Sequence, residues 1–281
     1  MKVKGKKKPF AKRSFGQNFL IDQNYVNKII SALNPNHDET IVEIGAGRGS
    51  LTEKLLESGA NVIAIELDRD LIPFLREEFE GYKNFTLVEK DGLQVDFNEL
   101  KESSNPQSAI GNAQSVKLVA NLPFNISTAI LQRLIDQREV FSEMVLMFQR
   151  EVVERISAEP GDSGRGFLTV LVEAYLESEK LFDVPPAAFR PAPKVWSAVI
   201  RLKPKKVADI ENEDLFRKLL SAGFAQKRKT ILNNLKNAAE RLKIGDAEKL
   251  LSDSEIDAKR RAETLTLEEW KRIVKMSEPP A

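Results

Sequence analysis

A chain of 281 residues, 42% hydrophobic and 30% charged, can bury a substantial core and forms one large or two modest domains. Zero cysteines exclude thiol nucleophiles, zinc-cysteine sites and disulfides, and a single histidine, His37, excludes a histidine-based metal cluster or a Ser-His-Asp triad. The formal net charge of +1 hides three blocks: residues 1–34 carry +7, residues 190–261 carry +8, and residues 35–189 carry −13. Two basic segments flanking an acidic, catalytic-looking middle predict a polyanion held at the edges of the core, with steeply salt-dependent binding. No apolar run approaches the roughly 18 to 20 residues of a membrane span, and basic Met1 to Arg13 is not followed by the apolar stretch of a secretory signal. A soluble, cytoplasmic protein without a metal is the expectation.

In chain order, the first periodic segment follows Asp22, which can cap a helix burying Val26, Ile29, Ile30 and Leu33 at i, i+3, i+4, i+7 spacing. A strand at Ile41–Ile44 runs into Gly45-Ala-Gly-Arg-Gly49, after which Ser50 and Glu53 form a capping box for a helix carrying Leu51, Leu55 and Leu56. Gly59 ends that helix. The next strand, Asn61 to Ile65, finishes at Glu66; a helix reaches about Phe79; a third strand, Phe85 to Glu89, finishes at Asp91. Residues 98–116, rich in Ser, Asn and Gln, read as a surface insertion. Strands follow at Lys117–Ala120, ending at Asn121, at Glu143–Phe148 and at Val195–Leu202.

This alternation predicts an α/β, doubly wound, Rossmann-like sheet. Lys203-Pro-Lys-Lys206 marks a boundary, beyond which the pattern is helical through Val274. The expected division is therefore a catalytic domain over residues 1–206, with a basic N-terminal arm, and a small α-helical domain over residues 207–281. Disorder is expected only at the ends.

A glycine loop between strand and helix lets a ligand approach the backbone at the sheet's end. Two details favour S-adenosylmethionine over a pyrophosphate cofactor: Ser50 stands where the dinucleotide fingerprint places its last glycine, and Glu43 precedes the first glycine by two residues. Glu66 at its strand end can bridge ribose hydroxyls, and Asp91 at the next can accept from the cofactor's adenine amino group. Asn121-Leu122-Pro123-Phe124 has the makings of a holder for a flipped-out adenine. The Asn121 amide oxygen and a neighbouring carbonyl can accept the amino hydrogens, Pro123 fixes the turn and Phe124 offers a stacking face. The same tetrapeptide also reads as an ordinary turn after a buried strand, and on these four residues alone both readings stand.

Phe15-Gly-Gln-Asn-Phe-Leu20, the Glu43–Gly49 loop, Glu66, Asp91 and Asn121-Leu-Pro-Phe-Asn-Ile-Ser127 together resemble the motif set of the ribosomal RNA adenine dimethyltransferases. So do Phe189-Arg-Pro-Ala-Pro-Lys-Val195 with Ser197, Gln226-Lys-Arg-Lys-Thr230 with Asn233-Asn-Leu235, and Arg261-Ala-Glu-Thr-Leu265, so the resemblance covers nearly the whole chain. The last two groups resemble the branch that dimethylates two adjacent adenosines in the hairpin near the 3′ end of small-subunit RNA more than the erythromycin-resistance branch. The resemblance implies that Asn18, Leu20, Gly45, Gly47, Glu66, Asp91 and Asn121 contact S-adenosylmethionine. It further implies a small-subunit RNA substrate in a pre-ribosomal particle, and a monomer is the expected state. RNA contact is expected at Phe124, at Phe189 on the base's other side, and at Lys227, Arg228 and Lys229. Two positions depart from the family pattern: Phe124 where many members carry tyrosine, and Trp196 where a small acidic residue is usual. An adenine methyltransferase acting on large-subunit RNA or DNA, and a non-enzymatic assembly or transcription factor retaining the fold, are the rival readings.

Overall fold

The structure, a computed structural model, describes residues 9–12, 15–37, 39–102, 116–206 and 209–277. Most of the basic arm, residues 103–115 of the polar insertion and the last residues at the C-terminus lie outside the described residues. In chain order the elements are β1 (Phe19–Leu20), α1 (Gln23–Leu33), β2 (Thr40–Ile44), α2 (Ser50–Glu57), β3 (Asn61–Glu66), α3 (Leu71–Phe79), β4 (Phe85–Glu89), α4 (Phe97–Glu102), β5 (Val116–Asn121), α5 (Ser127–Asp136), β6 (Glu143–Gln149), α6 (Arg150–Ile156), α7 (Phe167–Tyr175), β7 (Leu176–Val184), β8 (Phe189–Arg190) and β9 (Ser197–Pro204). They are followed by α8 (Glu213–Gly223), α9 (Ile231–Lys236), α10 (Ala239–Leu242), α11 (Ala247–Asp253) and α12 (Leu267–Ser277).

The chain divides into two compact units, Met1–Val153 with Ser178–Pro204, and Glu154–Glu177 with Lys205–Ala281. The first unit ends at Pro204. Residues 154–177, which the sequence pattern left in the first domain, group with the helical unit instead, because α7 is almost wholly buried and packs against α8 and α12.

The first unit holds a seven-stranded sheet in the order β4-β3-β2-β5-β6-β9-β7. Strands β2 to β6 run parallel, and β9 runs antiparallel to β6. All five residues of β2 are buried, as expected of a central parallel strand covered on both faces. Side chains alternate between faces. Ile41, Val62, Ala64, Val119, Val145 and Met147 share a core with α1, α2 and α3, while a side chain added at Gly92 would strike Ile44 and Ile130 of α5. Asp22 caps α1 by accepting from the Asn24 N–H at 2.9 Å, a bond worth about 1 kcal/mol. From β2 the chain winds outwards to β3 and β4, then returns to β5 and β6. The winding therefore reverses between β2 and β5, and at such a switch point, beyond the carboxyl ends of the strands, open α/β sheets bind ligands.

A separate two-stranded pairing, β1 with β8, sets Phe19 opposite Arg190 and Leu20 opposite Phe189. In the helical unit Trp270 is fully buried and stacks on Phe224, with 5.7 Å between ring centroids. Gly223 makes this fit possible, since a side chain there would come within 2.3 Å of the indole. Arg165, also buried, donates to Glu173 and to the Ala158 carbonyl. Among the described residues no helix is long and apolar enough to cross a membrane.

Candidate active site

Beyond Ile44 the backbone turns through Gly45, Gly47 and Gly49, all at positive φ. Two of these glycines have different reasons. A side chain at Gly45 would meet only the Asn121 carbonyl, at 3.9 Å, so its space is open cleft, whereas one at Gly49 would lie 2.6 Å from Phe79 and force α3 away. The expected Ser50–Glu53 capping box does not form. Gly49 is the N-cap of α2 and supplies no side chain, and the Ser50 hydroxyl donates instead to the Leu20 carbonyl at 3.0 Å. That bond ties the glycine loop to β1.

The loop borders an open cleft enclosing about 1260 Å³ of space, its mouth included. Glu66, 7% exposed, closes one wall. Its Oε2 accepts from the Gly47 N–H at 2.9 Å, and its Oε1 accepts from the Leu67 and Asp68 N–H groups, each at 2.9 Å. Three backbone donors thus hold the carboxylate in one orientation. Asp91, two residues past β4, accepts from the Leu93 N–H at 2.9 Å. Beneath them Glu43 is 1% exposed and accepts from the Thr52 hydroxyl at 2.6 Å. Burial pushes its carboxyl up to about 7; the bond from Thr52 opposes this and the charge of Glu66 adds to it.

The arm folds across the same wall. Lys12 pairs with Asp70 at 2.6 Å and with Asp68, and Gln17 Nε2 donates to Asp68 at 2.8 Å. Burial opposes ionisation of Asp68, but the bonds from Lys12, the Asp70 N–H and Gln17 outweigh it and hold its carboxyl below the usual aspartate range. Arg48 donates to the Pro9 carbonyl and lies over the Phe19 ring at 4.3 Å. Lys12, Gln17, Arg48 and Asp68 were not singled out from the sequence. For Gln17 and Asp68 a signal existed: one lies inside the Phe15–Leu20 motif and the other two residues after Glu66.

On the opposite wall, Asn121 at the end of β5 donates from Nδ2 to the Asn18 carbonyl at 3.2 Å. Because that carbonyl can only accept, the bond fixes which end of the amide is which and turns Oδ1 the other way. The turn that follows is closed by the Ile126 N–H on the Pro123 carbonyl at 3.2 Å and the Ser127 hydroxyl on the Phe124 carbonyl at 3.1 Å. Leu122 is buried, while Pro123 and Phe124 are half-buried at the cleft. Gly16 approaches this turn closely, since a side chain there would lie 3.0 Å from Asn125 Oδ1.

The cleft therefore brings together Asn18, Leu20, Gly45, Gly47, Glu66, Asp91 and Asn121 to Phe124. Phe189 also reaches its wall but is 1% exposed and packed in the core with Leu20, Val184 and Ala188, so little of its ring is open to a base. Lys227, Arg228 and Lys229 belong to the other unit, where all three are exposed just before α9. Buried Asn234 shapes their loop by donating to the Gly223 and Gln226 carbonyls. His37, the single histidine, packs on Gly59 before β3, at the edge of the sheet away from the cleft.

A doubly wound sheet whose strand ends, glycine loop and carboxylates enclose one cleft defines a Rossmann-like fold with a cofactor cleft at its switch point. The family model described as ribosomal RNA adenine dimethylase matches residues 10–277. The chain is 42% identical to the ribosomal RNA small subunit methyltransferase A of Hahella chejuensis, over 94% of this chain and 91% of that protein. The crystal structure of a dimethyladenosine transferase from Plasmodium falciparum superposes with a TM-score of 0.73 at 28% identity, covering 90% of this chain and 95% of that one. The 23S rRNA methyltransferase ErmE shares the fold, with a TM-score of 0.66 at 23% identity over 92% and 99%. The chain belongs to the ribosomal RNA adenine dimethylase family and is an S-adenosylmethionine-dependent methyltransferase.

Proposed function

We propose that this protein transfers methyl groups from S-adenosylmethionine to the exocyclic amino groups of two adjacent adenosines in the 3′-terminal hairpin loop of small-subunit ribosomal RNA. The product is dimethyladenosine, made during small-subunit biogenesis. The observation that carries the reading is the facing of the strand-end carboxylates and the Asn121–Phe124 turn across one cleft, in a chain whose relative is named for the small subunit.

The residues present fit the cosubstrate. The space beside Gly45 is left open by a residue without a side chain, and among the described residues the cleft is lined by four carboxyl groups, Glu43, Glu66, Asp68 and Asp91, against two cationic side chains, Arg48 and Lys90. S-adenosylmethionine has one more positive than negative group and suits such a lining. When bound, it supplies a methyl made electrophilic by its sulfonium. Glu66 would take the ribose hydroxyls, Asp91 the adenine amino group, and Asn18, Leu20, Gly45 and Gly47 would line the rest of the molecule.

The chain's own task is then positioning, which needs no histidine or cysteine. The substrate nitrogen is a poor nucleophile because its lone pair is delocalised into the ring. Acceptors at Asn121 Oδ1 and a backbone carbonyl favour its pyramidal form, an effect that grows towards the transition state. The Pro123 carbonyl already accepts within the turn, which points to Leu122 as that backbone acceptor. The amino proton leaves after transfer, when the nitrogen is cationic, so no dedicated base is required. Phe124 stacks on the base. Lys227, Arg228 and Lys229 hold RNA phosphates, supported by their exposure and by the basic balance of residues 190–261. The protein acts as a cytoplasmic monomer on a pre-ribosomal particle.

The test is tritiated methyl transfer to unmethylated small subunits, followed by nucleoside analysis. Dimethyladenosine in the 3′-terminal hairpin is the expected product. Methylcytosine, no product, or preference for large subunits would overturn the reading.

A further inference from the structure

The proposed reaction uses the carboxyl ends of β2 to β5 and leaves the next stretch of that edge, the end of β6 and the start of β9, without a role. Trp196 sits there, 45% exposed, beside Val195 at 42%. An isolated exposed apolar residue is ordinary and needs no explanation. Three observations set this one apart.

The first is position. Asn121 pairs with Met147 and Met147 with Val199, so the three lie level across the sheet. Phe124 lies three residues beyond Asn121, and Trp196 lies three residues beyond Val199 in the antiparallel strand, on the same edge. Two strand spacings, roughly 10 Å, separate them laterally.

The second is the cation beside the ring. The Arg150 N–H donates to the Trp196 carbonyl at 2.9 Å, and its guanidinium lies 6.0 Å from the indole centroid. An arginine beside an aromatic face is the pairing that single-stranded nucleic acids use, one group for the phosphate and the other for the base. The third is the surrounding sequence. Residues 184–204 carry four Lys/Arg and no Asp/Glu, and Pro191 and Pro193 stiffen the segment that presents the indole.

We propose that Trp196, flanked by Arg150, stacks on a nucleobase of the substrate RNA adjoining the adenosine that is methylated. At the stacked rise of roughly 3.4 Å per nucleotide, a span of roughly 10 Å puts that base within about three nucleotides of the target, fewer where the strand is stretched. The proposal rests on the RNA-methylating reading above. It adds a second aromatic contact, outside the pocket, that reads how the RNA strand enters.

The test compares the full-length wild type with Trp196→Leu and Trp196→Phe in methyl transfer to unmethylated small subunits. KM for the particle and kcat are determined separately, and S-adenosylmethionine affinity by calorimetry. Trp196→Leu keeps the apolar bulk but loses the ring, and should raise KM about five- to tenfold, the low end for a stacked base because half the ring is already covered. Cofactor affinity and kcat should not move, and Trp196→Phe should restore most of the loss. A wild-type KM in Trp196→Leu overturns the stack and leaves the methylation reading intact, as does an equal loss in Trp196→Phe, which would indicate shape and not stacking. Absence of methyl transfer by the wild type overturns both.

Discussion

The two walls of the cleft are built differently. On the donor side Glu66 is buried and held by three backbone N–H groups, Asp91 is fixed by its own turn, and the arm is pinned through Asp68. On the acceptor side the Asn121–Phe124 turn is half-buried and rests on one hydrogen bond from the Asn121 amide to the Asn18 carbonyl and two that close the turn. The difference matches two tasks. A cosubstrate that is the same in every cycle is best met by a wall fixed in advance, because the orientation is settled before binding. An acceptor that returns carrying one methyl must be held by a wall with some give. On the proposed reading most of the positioning on the acceptor side would fall to Asn121, whose amide is oriented by its bond to the Asn18 carbonyl.

That contrast breaks first at Asn121. Asn121→Ala should lower kcat for methyl transfer by about 100-fold, the scale of removing one transition-state hydrogen bond, while cofactor affinity falls far less. Single-turnover transfer alongside calorimetry separates the two, and a fall of only a few-fold in kcat would remove Asn121 from the chemistry. Next comes Glu66→Gln, which turns an amide NH₂ towards either the Gly47 N–H or the Leu67 and Asp68 N–H groups. Because the wall is fixed, it cannot rotate away from the conflict. S-adenosylmethionine should bind roughly 30-fold more weakly, as expected for a lost charge-assisted bond and an unpaired donor. Binding within a few-fold of wild type would mean that this wall is adjustable after all. On the giving side, Phe124→Ala should cost roughly tenfold in kcat/KM for the RNA, and Phe124→Tyr should retain most activity because the stack is kept. Equal activity of Phe124→Ala and wild type would end the stacking role.

The donor wall was largely legible in the sequence because its signals are local. Gly45 to Gly49, Glu66 and Asp91 each stand at or just beyond a strand end that a short apolar run marks, and parallel pairing then lines those ends up. What escaped depends on pairing between distant segments. Nothing in Phe19-Leu20 announces that it meets Phe189-Arg190, and without that pairing the Leu20 carbonyl would not be where the Ser50 hydroxyl finds it in place of a capping box. β7 is invisible in the sequence because Leu176–Val184 carries a run of exposed polar residues in place of an apolar run. The short helix α4 begins at Phe97 and runs into a stretch whose polar composition reads as loop. The apolar run Val195–Leu202 extends the expected strand over Trp196, but the residue stands just outside β9, and only the register shows which edge of the sheet it occupies.

The smallest expected effect probes whether the fixed wall is fixed in charge as well as in shape. Glu43 has a carboxyl near 7 in the fold against an ordinary value of 4.5, so between those values the folded chain binds more protons than the unfolded one. Its contribution to stability is therefore lost as pH climbs from about 4.5 to about 7, and Glu43→Gln should flatten that part of the stability profile. A net-cationic cosubstrate in the adjoining cleft favours the ionised form, so binding near neutral pH should release protons, fewer than one per site. Affinity should accordingly rise a few-fold from about pH 6 to about pH 8. Calorimetry in buffers of different ionisation enthalpy measures the protons directly. In Glu43→Gln, where the side-chain oxygen can still accept from Thr52, the proton release and this pH dependence should both disappear. If they persist, the titrating group is not Glu43.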